Sequence, residues 1–118
     1  MKAKLHHLIS ADVDERVFWP DEEDNFSFSV QALVGPDGEP GEESFNFQVC
    51  TPKWISTKMF NRDFGDFGVF GKNLIIVKEY NWDEIKKMVS DLCSRTTGKD
   101  WAEVAGKLSR FGQWEFEV

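Results

Sequence analysis

"NFSFSVQALVGPDGEPGEESFNFQVC", residues 25–50, decides the fold. Phe26, Phe28, Val30, Ala32 and Val34 alternate with Ser27, Ser29, Gln31 and Leu33. A period of two places successive side chains on opposite faces, so this is a strand with one apolar face. The pattern returns at residues 43–50, where Phe45, Phe47 and Val49 face inward and Ser44, Asn46, Gln48 and Cys50 face outward. Between them "GPDGEPGE", residues 35–42, holds three glycines and two prolines, the residues of tight turns. The whole reads as a long antiparallel hairpin with one greasy and one polar face.

Upstream, "KAKLHHLIS", residues 2–10, reads as a strand with imperfect alternation. Residues 11–24 are polar, acid-rich and interrupted by Pro20, a surface loop with Phe18 and Trp19 tucked in as anchors. Downstream, Thr51 and Pro52 mark an N-cap and first helical position, opening a short helix that sets Ile55 and Met59 on one side. A glycine-punctuated loop follows. The run "LIIV", residues 74–77, suggests a central strand.

Asn81, with Glu84 three residues on, opens the strongest helix, whose stripe is Ile85, Met88, Val89, Leu92 and Cys93. A second helix is expected from Thr97, burying Trp101, Val104, Ala105 and Leu108, with Gly112 as the residue just past its end. "QWEFEV" closes the chain by alternation, Trp114 and Phe116 opposing Glu115 and Glu117. Strands mostly first and helices mostly later argue for an α+β domain spanning 1–118, a mainly antiparallel sheet with helices on its apolar face.

At 118 residues the chain suits one domain with a real core. Its longest apolar run is too short for a bilayer, and no export signal precedes it, so a cytoplasmic location is expected. The net charge of −7 is unevenly spread. Residues 5–52 carry eleven acids and the single base Arg16, whereas the remainder carries ten acids and thirteen bases. Such a field repels nucleic acid and membranes and attracts basic proteins.

Catalytic chemistry finds little support. Cys50 lies near a predicted helix start, which lowers a thiol pKa, but His6 and His7 are the only histidines and neither has a third group to orient it. The cysteines are therefore read as packing residues. No metal spacing occurs: adjacent histidines on a strand face opposite ways, and Asp21, Glu22, Glu23 and Asp24 are consecutive and lack the pivotal glycine of a calcium loop. Gly65, Gly68 and Gly71 precede a strand, the wrong order for a phosphate cradle. Their neighbours Phe64, Phe67 and Phe70 either pin the loop to the core or stand out as aromatic anchors. What is left is a non-enzymatic, acidic binding module without a cofactor.

"FSFSVQALVGPDGEPGEESFNFQVCTPKW" and "WAEVAGKLSRFGQWEFE" resemble the immunity protein 8 family of bacterial polymorphic toxin systems. The shared features are a Gly-Pro-Gly hairpin running into a Phe-x-Phe-x-Val-Cys-Thr-Pro-x-Trp strand end, and a Trp-bearing helix before a closing Gly-x-Trp-Glu-Phe. The resemblance covers most of residues 25–118. It implies a small cytoplasmic antidote that binds a cognate toxin domain, and it assigns no contact residues. Combined with the charge, it leads us to expect a basic, nuclease-like toxin met by Asp21, Glu22, Glu23, Asp24, Glu39, Glu42 and Glu43, with Phe64 or Phe67 as an aromatic anchor. An adaptor domain for another basic protein is the alternative.

Overall fold

A computed structural model describes residues 1–58 and 67–117. The predicted hairpin is its spine. β2 (Ser27–Pro36) and β3 (Glu43–Cys50) pair antiparallel from Ser27↔Cys50 to Val34↔Glu43. Phe28, Val30, Ala32, Val34, Phe45, Phe47 and Val49 are all buried on the inner face. The turn closes with Gly38 and Gly41 at φ 82° and 106°, a region L side chains avoid.

β1 (Ala3–Ile9) adds antiparallel to β2. Its irregular pattern has a cause: the register slips between Leu5 and His7, so two residues of β1 oppose one step of β2. Leu5 pairs Val34 and Leu8 pairs Ala32 on the core side, although they are three apart.

The far edge of β3 is shared. β4 (Leu74–Ile76) runs parallel beside Gln48–Cys50, and β5 (Gln113–Trp114) runs antiparallel beside Phe45–Asn46. The fold is α+β, antiparallel in every strand pairing except β3–β4. The expectation of a central strand at "LIIV" is corrected. β4 is a three-residue edge strand with no strand paired beyond it among the described residues; Ile75 is buried and Ile76 is exposed. The closing strand is also shorter than its alternation suggested, and Phe116 lies outside it, exposed.

α1 (Pro52–Thr57) begins as predicted, the Thr51 hydroxyl accepting from Trp54 N–H at 3.3 Å. The Met59 side of that helix lies outside the described residues. α2 (Trp82–Ser94) is capped by Asn81, whose side chain accepts from Glu84 N–H at 3.1 Å. Ile85, Val89 and Cys93 are its buried stripe, whereas Met88 is 46% exposed and sits on the rim rather than in the core. α3 (Trp101–Leu108) starts at Asp100, not Thr97. The Asp100 carboxylate accepts from Glu103 N–H at 2.9 Å, while Thr97 is occupied in a bridge to Lys2.

Both helices deliver buried residues to the same core as the inner sheet face, including Val104, Ala105 and Leu108 from α3. The helix ends before Gly112, whose role is spatial. A Cβ there would stand 2.6 Å from the Phe47 ring.

Candidate partner-binding surface

Cys50 is fully buried, not outward as its place in the alternation suggested. The β3 end is enclosed: Phe26 C=O accepts from Thr51 N–H, and Cys50 C=O accepts from Val77 N–H at 2.9 Å. Burial pushes the thiol up to about 11, and does the same to Cys93, so neither supplies thiolate at neutral pH. Among the described residues no group of three or more His, Cys, Asp and Glu could hold a metal ion. No described helix is long and apolar enough to cross a membrane.

The acids of the front portion fall into two groups. Asp21, Glu22, Glu23 and Asp24 precede β2, while Glu39, Glu42 and Glu43 lie at the turn into β3. The ten residues of β2 separate them by about 30 Å at the usual rise per residue. They do not form one surface.

The hairpin-turn group is partly engaged within the molecule. Glu42 contacts His6 Nδ1 at 2.9 Å. The half-buried Glu43 accepts from the Trp101 indole N–H and, at 3.2 Å, from that of Trp114. One carboxylate thus ties α3 and β5 to the edge of β3. Glu39 is exposed, and its side chain has no partner among the described residues.

The loop group is more open. Lys53 on α1 reaches Glu22 at 3.2 Å and Asp24 at 3.8 Å. The Asn25 amide and then Lys53 hold the Glu22 carboxyl below its usual range. Asp21 and Glu23 are exposed with free carboxylates among the described residues. Nearby, Asp12 accepts from Ser29 N–H at 2.7 Å and from its hydroxyl, fastening the loop to β2. Asp14 takes the Arg16 guanidinium at 3.0 and 2.8 Å, which holds its carboxyl down to about 2. Of the seven carboxylates between residues 12 and 24, Asp14 is paired with Arg16 and Glu22 and Asp24 share Lys53, with Lys58 adding its field at Glu22.

At the middle of this loop stands Trp19. It was expected to be tucked in with Phe18; Phe18 is half-buried, edge-on to Phe28 and Tyr80, but Trp19 is 65% exposed. The indole touches Tyr80 edge-on at 5.2 Å and walls two recesses. One is lined by Asp21, Glu22, Trp54 and Lys58, the other by Glu15, Tyr80 and Asp83. Val17 beside it is 81% exposed. The run "VFWPDEED", residues 17–24, shows the acids that surround the tryptophan, but not that Phe18 rather than Trp19 turns to the core. Glu15 and Asp83 carried no signal, because only the fold brings the start of α2 against the loop.

Of the aromatic candidates, Phe64 lies outside the described residues. Phe67 is 98% and Phe70 97% exposed, so neither pins its loop to the core.

A family model described as Immunity protein 8 matches residues 3–118, essentially the whole length. The chain belongs to the immunity protein 8 family. No curated protein and no solved structure matches it. Membership in the immunity protein 8 family implies a cognate toxin protein as partner.

Proposed function

We propose that this protein works in the bacterial cytoplasm as a non-enzymatic antidote that docks its acidic loop, residues 12–24, onto a basic toxin domain. The toxin is of the nuclease kind, whose substrate groove must be positive to hold phosphate. The observation that carries this reading is the pairing of a dense, weakly compensated set of carboxylates with a solvent-exposed tryptophan at its centre. Binding energy at protein interfaces concentrates in such aromatic anchors, while surrounding charge speeds and orients the encounter. Asp21 and Glu23, free of internal partners among the described residues, do most of the steering. Glu39, Glu42 and Glu43, about 30 Å away, lie outside a contact centred on the loop. The same negative field disfavours nucleic acid and anionic membranes as partners.

Co-expression with the toxin domain encoded beside it tests this directly. Growth should be rescued and a complex isolated whose association slows steeply with salt, falling from roughly 10⁸ M⁻¹s⁻¹ at low ionic strength. A toxin that is not bound, or one bound at a salt-independent rate, would count against the reading.

A further inference from the structure

Tyr80 is 5% exposed, and its hydroxyl is buried with no hydrogen-bond partner among the described residues. Buried polar groups almost always find partners, so an orphaned hydroxyl calls for an explanation. It borders a surface recess of about 590 Å³ whose rim carries Glu15, Trp19 and Asp83. Burial first, and then the fields of Glu15 and Asp83, raise the Tyr80 pKa, in keeping with the two carboxylates lining the same recess as the ring. Among the described residues the cation lining the recess is Arg16, and Asp14 engages it through two N–H groups. An indole, two carboxylates and a hydroxyl without a partner among the described residues thus line one recess.

We propose that this recess receives an arginine side chain of the basic partner, its guanidinium stacked on Trp19, paired with Glu15 and Asp83 and hydrogen-bonded to the Tyr80 hydroxyl. Arginine fits better than lysine. Its planar group stacks on an aromatic face while its edge donates several N–H bonds in the plane, whereas an ammonium is a compact, strongly hydrated point charge. Trp19 has most of its surface in solvent, so its side chain has room to turn and admit the guanidinium to the hydroxyl. The inference rests on the proposed docking of the acidic loop and specifies which residue type leads that contact.

Two measurements test it. In the first, arginine amide is titrated into the ¹⁵N-labelled protein while the Trp19 indole N–H resonance is followed, with citrulline amide and lysine amide as controls. A saturable shift with arginine amide is expected, absent in the Glu15→Gln/Asp83→Asn variant and at least several-fold weaker with either control. No saturable shift, or equal shifts with citrulline or lysine amide, would overturn the assignment.

In the second, affinity for the toxin domain is compared between wild type and Trp19→Ala, with thermal melts checking that both are folded. A loss of roughly tenfold or more is expected. Full affinity in Trp19→Ala removes the recess from the contact while leaving the antidote reading intact. If wild type itself forms no complex, the antidote reading fails, and the amide titration still decides whether the recess selects guanidinium.

Discussion

Tyr80 and the two cysteines carry the most telling chemistry of single residues. Replacing a bonded tyrosine by phenylalanine usually costs about 0.5–1.5 kcal/mol. Here the hydroxyl is buried without a partner, so Tyr80→Phe should leave stability unchanged or raise it by up to about 1 kcal/mol, read as the midpoint of urea unfolding. The buried thiols give an alkaline signature. Each titrates near 11 folded against 9 in the open chain, so the unfolded state loses its protons first. Their contribution is complete below pH 9 and is lost as pH rises toward 11, on the order of 1 kcal/mol per thiol by pH 10. The same burial predicts that neither cysteine reacts with a thiol reagent at pH 8 until the protein unfolds, a matter of comparing labelling with and without denaturant.

Elements are held to one another by a few side chains that sequence reasoning could not rank. Glu43 reads in sequence as one more surface acid, yet it accepts from two indoles and joins α3 and β5 to β3. Glu43→Ala should cost about 2 kcal/mol in chemical unfolding, where removal of the neighbouring Glu39 should cost almost nothing. Gly112 reads as a helix terminator but serves as clearance for Phe47; Gly112→Ala should cost roughly 1–3 kcal/mol through overpacking.

The hairpin, the caps at Thr51 and Asn81 and the core stripes were legible because each rests on local periodicity or a short-range hydrogen bond. Errors fell where long-range pairing decides. Periodicity cannot tell that "LIIV" ends up at an edge, that a bulge shifts the parity of β1, or that the end of β3 is closed over on both sides. The acids of the candidate surface were legible as residues. Their division between two ends, and the meeting of Glu15, Trp19, Tyr80 and Asp83, exist only in three dimensions.

For the whole molecule, the uneven charge sets how it meets a partner. Asp21→Lys/Glu23→Lys should slow association and flatten its salt dependence while leaving the melting temperature nearly unchanged, since neither residue has an internal partner among those described. Glu22→Lys should slow it too, with a small added loss of stability from the broken Lys53 contact. Stopped-flow rates at several ionic strengths, beside thermal melts, separate the two.

The length of the β2–β3 ladder has a further consequence. Substitutions placed one at each of its ends share no contacts, so their free-energy effects should simply add, within about 0.5 kcal/mol. Selection can then rework the loop beside Trp19 for a new adversary without renegotiating the turn at Gly38, and the turn can drift without spoiling recognition.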